Sequence, residues 1–236
     1  MSQKRMLQKI GNEIWMADGD CVSFYGFPYP TRCLVVRLQK GGLWIWSPIK
    51  PTPELLSEVR ALGAVQHLVS PNKLHYLFMG AWAGVFPDAK LWGPSSTIAK
   101  CPDLEFETAL AETPPTDWAD EIDQVWMQGS PALDEIVFHH KSSGTTILAD
   151  LSENFSAAFL AEHWKPWARW IARRWKIVEG WGYAPLEWRL SFIFRKPARA
   201  AKTRILDWPT EQVVMAHGEW QPSDGQAFLK RAFAWL

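Results

Sequence analysis

Three side chains suited to metal binding or proton transfer each follow a short β-type run, and this placement most narrows the choice of fold. His75 comes after Val65-Gln66-His67-Leu68-Val69, Asp150 after Thr145-Thr146-Ile147-Leu148-Ala149, and His217 after Val213-Val214-Met215-Ala216. Proteins with alternating strands and helices gather functional groups beyond their strand ends, so the chain is expected to be α/β.

The surrounding pattern agrees. Strand-type runs at 13–16, 32–38 and 43–47 are separated by turn signals at Asp18-Gly19-Asp20 and Lys40-Gly41-Gly42, the second a hairpin signal. A helix is expected over 53–63, with Thr52 as cap, Pro53 in its first position and Gly63 ending it. The strand at 65–69, a helix over about 75–85 and a strand at 89–93 form a βαβ unit, hence parallel pairing. The polar, Pro-containing stretch 101–120 reads as loop. Runs at 121–127, 135–140 and 145–149 read as strands, the last two joined by Ser142-Ser143-Gly144. Over 156–175, Phe159, Leu160, Trp164, Trp167, Ile171 and Trp175 recur at helical spacing, and Pro166 predicts a kink or a break. Helix, strand and helix close the chain over about 197–206, 212–215 and 223–236.

Charge and cysteine usage exclude several classes. Twenty-five basic residues balance twenty-five acidic ones, so nothing global favours nucleic acid or an anionic membrane. The basic run from Arg195 to Arg204 reads as a solvated helix face. No stretch approaches the roughly 20 apolar residues of a membrane span, and the basic start Met1–Lys9 has no apolar segment behind it. Cys21, Cys33 and Cys101 are odd in number and far apart, which fits a reducing, cytoplasmic setting. No linker argues for two domains, so a single domain over 1–236 is expected.

Six pieces in order carry a family resemblance over nearly the whole chain: Tyr29-Pro30-Thr31-Arg32, Ser47-Pro48-Ile49, Ser70-Pro71-Asn72-Lys73-Leu74-His75, Phe86-Pro87-Asp88-Ala89, Ala149-Asp150-Leu151 and Ala216-His217-Gly218. With the order of elements, they make the chain resemble the metallo-β-lactamase superfamily, and within it a bacterial family known as domain of unknown function 4336. The resemblance implies a four-layer αββα sandwich of two mixed sheets. In that superfamily a His-x-His-x-Asp-His motif, a further His, a bridging Asp and a last His hold two metals, usually zinc. Here Ser70, Asn72 and Leu74 stand where His, His and Asp are expected, and Ser130 stands where the further His is expected. His75, Asp150 and His217 keep their places.

The resemblance therefore implies a reduced site, with His75, Asp150 and His217 as metal ligands and catalytic groups for at most one divalent ion, zinc or iron. If active, the protein would activate water against an ester or thioester-like small molecule. The competing reading pairs Asp150 with His217 structurally, leaves His75 to pack a helix start, and makes the protein a non-catalytic binder or scaffold. Ser70, Asn72 and Trp181 are candidate ligand contacts, although Asn72 equally suits an Asx turn. His140 is set roughly opposite Thr146 and too far from Asp150 to replace a lost ligand. The Trp- and Arg-rich segment 163–189 could wall a pocket for an anionic or aromatic ligand, or its tryptophans could cover the sheet while its arginines reach outward. A small-molecule ligand is the partner expected; oligomeric state is left open.

Overall fold

The computed structural model describes residues 6–236, so the first five residues of the N-terminal reading lie outside the described part. The chain packs as two compact units. One holds the chain up to Asp20 together with Thr31–Leu110, the other Cys21–Pro30 with Ala111–Leu236.

The first sheet is built from β1 (Gln8–Gly11), β2 (Ile14–Phe24), β3 (Phe27–Arg37), β4 (Gly42–Trp46), β5 (Ala64–Val69) and β6 (Lys90–Trp92), in that spatial order. Antiparallel pairing of β3 with β4 gives way to parallel pairing of β4, β5 and β6, so the sheet is mixed. Parallel neighbours need crossovers, and α1 (Pro53–Leu62) and α2 (Met79–Val85) supply them. The expected cap holds: Thr52 Oγ1 accepts the Leu55 N–H at 3.3 Å, with Pro53 in the first turn. Leu55 and Val59 of α1 and Trp82 of α2 pack with Val35, Leu43, Ile45 and Leu68 of the strands.

Two local expectations fail in this unit. The chain does not turn at Asp18-Gly19-Asp20. Instead β2 runs on to Phe24, and the turn falls at Tyr25-Gly26, both at positive φ (48° and 84°). Thr31 explains the strand at 18–20: its hydroxyl donates to the Asp20 carbonyl and would lie 2.5 Å from a Cβ placed on Gly19. The second helix begins at Met79 rather than 75. An Asx turn at Asn72 takes the Leu74 N–H, leaving 71–78 as a series of turns.

The second sheet has the order β10 (Gln212–Gly218), β9 (Thr145–Asn154), β8 (Glu135–His140), β7 (Ile122–Met127). β9 and β10 pair parallel and the others antiparallel, so this sheet too is mixed. The helical run at 156–175 breaks rather than kinks, into α4 (Ala157–His163) and α5 (Pro166–Trp175), with Pro166 opening the second helix. A proline inside one continuous helix would clash with the preceding turn; at a first position it costs nothing. After these come α6 (Leu186–Ser191), which the sequence pattern did not suggest, then α7 (Arg195–Asp207) and α8 (Gly225–Ala232). An aromatic cluster joins Tyr29, Phe155, Leu160, Trp164, Ala168 and Ile177, with Val22, Phe24 and Phe27 packed against it. Among the described residues, no helix is long and apolar enough to cross a membrane.

β8 and β9 pair one residue out of the expected register, His139 with Thr146 and His140 with Thr145, because the joining turn is a short 3-10 helix at Lys141–Ser143. His139 is buried, stacks on Trp208 at 5.2 Å and meets Thr146 Oγ1 at 3.1 Å. Burial pushes its imidazole down from 6.5 to about 4. In that window the unfolded chain takes up a proton that the native chain refuses. Stability is therefore fully present above about pH 6.5 and falls as pH drops toward 4, by up to about 3 kcal/mol. Urea unfolding of wild type and His139→Gln at neutral pH and near pH 4 checks this: the variant should show the smaller acid loss.

Candidate metal centre

In the first unit, His75 lies in the turns after β5. Its Nδ1 meets Ser47 Oγ at 2.7 Å, and its ring stacks on Trp46 at 6.0 Å. Ser47 follows β4 with φ of 48° and donates its own N–H to the Val69 carbonyl. A left-handed conformation at a residue other than glycine costs about 1–2 kcal/mol; here it accompanies a hydroxyl held against the imidazole. Ser70 and Asn72 are fully buried. Ser70 Oγ donates to the Asn72 carbonyl at 2.8 Å, and Asn72 Oδ1 accepts from the Leu74 N–H at 2.8 Å.

In the second unit, Asp150 does not stand past a strand end. It lies inside β9, where the strand leaves its ladder. Met215 pairs with Leu148, but the next partners are His217 and Glu153, so four residues of β9 bulge against one of β10. The N–H groups of Ala149, Asp150 and Leu151 donate to the buried Glu135 carboxylate at 2.7, 2.8 and 3.3 Å. Glu135 thus supplies the acceptors that a strand neighbour would give, and it fixes the backbone that carries Asp150.

His217 lies on β10, within the strand rather than beyond it. Its Nδ1 sits 2.8 Å from the Pro30 carbonyl and its Nε2 3.4 Å from Asp150 Oδ1. A carbonyl only accepts, so Nδ1 must carry hydrogen. In the neutral ring Nε2 then presents a lone pair to a carboxylate oxygen, and the two repel. A proton shared between the two groups, or a metal ion held by both, resolves this. Tyr29 stands edge-on to the His217 ring at 5.0 Å. Its hydroxyl hydrogen-bonds Glu153, and burial, then the charges of Glu153, Glu187 and Asp150, push the phenol above its usual range. Glu153 is likewise raised, first by burial and then by Asp150 and Glu187. Gly218, with φ of 90°, lets the chain after His217 pass close to Asn154.

His75, Asp150 and His217 each offer a ligand atom, and these atoms lie within 4.8 Å of one another. Two imidazoles with Nδ1 engaged and one carboxylate match the chemistry of a three-ligand zinc or iron site, so the donor set fits the metal that the fold implies. Ser130 is taken up elsewhere: it bonds Ser191 Oγ and accepts the N–H groups of Ala132 and Leu133. Trp181 lies under Lys176 Nζ at 3.8 Å and edge-on to Tyr183.

The family model described as "Domain of unknown function (DUF4336)" matches residues 11–159. The chain belongs to that family. No curated protein matches the chain. Among solved structures, DIM-1 metallo-β-lactamase exposed to ceftazidime is similar at 15% identity and TM-score 0.65, covering 97% of this chain and 94% of that one. A metallo-β-lactamase from Pontibacter korlensis is similar at 16% identity and TM-score 0.64, covering 97% of each chain. FIM-1 from Pseudomonas aeruginosa, in its mono-zinc form, is similar at 11% identity and TM-score 0.61, covering 97% and 93%. At such identities the likeness shows the fold: this DUF4336 chain is α/β with two mixed sheets and is metallo-β-lactamase-like.

Sequence reasoning missed several groups around the DUF4336 site. Ser47 lay within a quoted motif piece without a role. Glu135 offered a weak signal, as a lone acid opening the strand run 135–140 ahead of Ile136-Val137-Phe138. Tyr29 and Pro30 likewise lay within a motif piece without a role, and Glu153 gave no signal, since their parts depend on partners up to 187 positions away.

Proposed function

We propose that this protein holds a single divalent ion, zinc or iron, through His75, Asp150 and His217, and hydrolyses a small ester or thioester-like substrate. The observation that carries the reading is the His217–Asp150 pair, whose imidazole is tied at Nδ1 to a carbonyl and faces a carboxylate with its other nitrogen. When bound, the ion supplies Lewis acidity for activating water toward a carbonyl. The Pro30 carbonyl fixes the His217 tautomer, and Ser47 does the same for His75 if its hydroxyl accepts from Nδ1. Asp150 contributes charge, and Glu135 holds its backbone in place. Leu74, Ser70, Asn72 and Ser130 remove the ligands of a second ion, which limits the site to one. FIM-1 in its mono-zinc form gives the fold a precedent for one ion. Trp181 remains a proposed ligand contact, while Ser70 and Asn72, proposed as contacts from the sequence but fully buried, would act on a ligand only through the turn they hold.

Elemental analysis of protein purified without chelator tests this. Close to one ion per chain is expected, falling in His75→Ala, Asp150→Asn and His217→Ala alike while urea unfolding of the chelator-treated proteins stays similar. Less than about one ion per ten chains after zinc or iron supplementation would end the reading. It would leave His217 and Asp150 as a structural pair. A second reading, a non-catalytic binder using the 163–189 segment, is favoured by the cavity that this segment lines.

A further inference from the structure

Within the second unit, α5 and the hairpin tip at residues 24–29 line a cavity of about 350 Å³. That is the size of a small-molecule site. Tyr29 and Trp164 form its buried floor, Phe27 and Trp175 its walls, and Trp167 part of its rim. Ring packing fixes the arrangement: Phe27 lies 5.1 Å from Trp164 and 5.8 Å from Trp167, and Trp164 Nε1 donates to the Pro28 carbonyl at 3.0 Å. The tip residue Tyr25 holds φ of 48° with its ring 89% exposed at the rim. An aromatic residue in that backbone region, with nothing gained by burial, is costly to keep for packing alone.

The charge on the cavity lining itself has one sign. Glu187, which is solvent-exposed, is the one charged side chain among the described lining residues, and Arg189 lies near it outside the lining. Behind the floor, Tyr29 is bonded to Glu153. Arg169, Arg173 and Arg174, which the sequence offered as anion contacts, do not line it. Aromatic faces are negative, so several of them beside a carboxylate attract an organic cation and repel an anion.

We propose that this cavity binds a small organic ammonium compound carrying an aromatic or alkyl group, with its cation toward Glu187 and its apolar part among Phe27, Trp164, Trp167 and Trp175. The site uses none of the three proposed metal ligands, so it stands whether or not a metal is bound. It also gives the 163–189 segment a ligand of the charge opposite to the one its arginines suggest.

Calorimetric titration of the full chain, kept in chelator, with 2-phenylethylammonium, 2-phenylethanol and phenylacetate is the test, because these probes differ chiefly in charge. The ammonium should bind about tenfold tighter than the alcohol, and the anion weakest of all. Glu187→Gln should narrow the gap between ammonium and alcohol, and Trp167→Ala, at an exposed rim position, should weaken the ammonium several-fold. The proposal is overturned if the ammonium does not bind at millimolar concentration, if alcohol or anion binds as well as it, or if Glu187→Gln leaves the preference intact. Because chelator is present throughout, failure here leaves the metal reading untouched, and failure of metal binding leaves this site standing.

Discussion

Replacing Glu135 with alanine is expected to lower the free energy of unfolding by about 4 kcal/mol, measured by urea denaturation. The side chain is fully buried and accepts three consecutive backbone N–H groups, those of Ala149, Asp150 and Leu151. Each buried donor left without a partner costs about 1–3 kcal/mol, and bonds to a charged acceptor lie at the upper end. Glu135→Gln keeps one carbonyl oxygen but turns an amide toward the same donors, so it should recover only part of the loss. The bulge in β9 gives the change a second consequence. With its acceptor gone, the 149–151 backbone is free to move toward a regular ladder with β10, which carries Asp150 away from His217. Metal content should then fall together with stability. A loss below about 1 kcal/mol would show that water or a re-paired strand satisfies these donors, and would remove Glu135 from the account of the site.

Gly218→Ala should cost at least about 3 kcal/mol, seen as a fall of about 6–12 °C in the thermal midpoint. Two independent reasons converge on it. Its φ of 90° is a conformation that side chains rarely adopt, and a Cβ there would stand 2.3 Å from both the carbon and the oxygen of the Asn154 carbonyl. Those atoms are backbone and cannot step aside like the end of a flexible side chain. The Asn154 carbonyl also accepts the Glu219 N–H at 2.8 Å, and Asn154 Nδ2 donates back to the Glu219 carbonyl at 2.7 Å. Pushing Gly218 outward breaks this closure of β9 against β10 one residue from His217. The His217–Pro30 hydrogen bond should loosen, so the histidine's metal affinity should drop more than its burial alone would suggest. If Gly218→Ala unfolds like the wild type, the close approach of the two strands at this point is not as described.

Much of the framework was legible along the chain because it rests on local signals. Thr52-Pro53 begins a helix and Pro166 divides one for reasons contained in a few neighbouring residues. The βαβ order followed from alternating periodicity, and the loss of imidazoles at Ser70, Asn72 and Ser130 is a matter of residue identity alone. The errors were local as well. Asp18-Gly19-Asp20 has turn chemistry, yet it extends as a strand because Thr31, on the neighbouring strand, holds it there. Asn72 delays the second helix by taking the Leu74 N–H for itself.

What residue order alone determined is therefore the kind of elements, their sequence, and which ligands of a two-metal motif are absent. Tertiary structure alone decided that Asp150 sits in a bulge held by Glu135, that Ser47 meets His75, and that His217 is oriented by a carbonyl 187 positions away. It also decided that the tip of a hairpin near the N-terminus completes an aromatic cavity on α5. Such contacts leave no period or spacing in the chain, because each depends on two distant segments meeting with their hydrogen-bonding groups already committed.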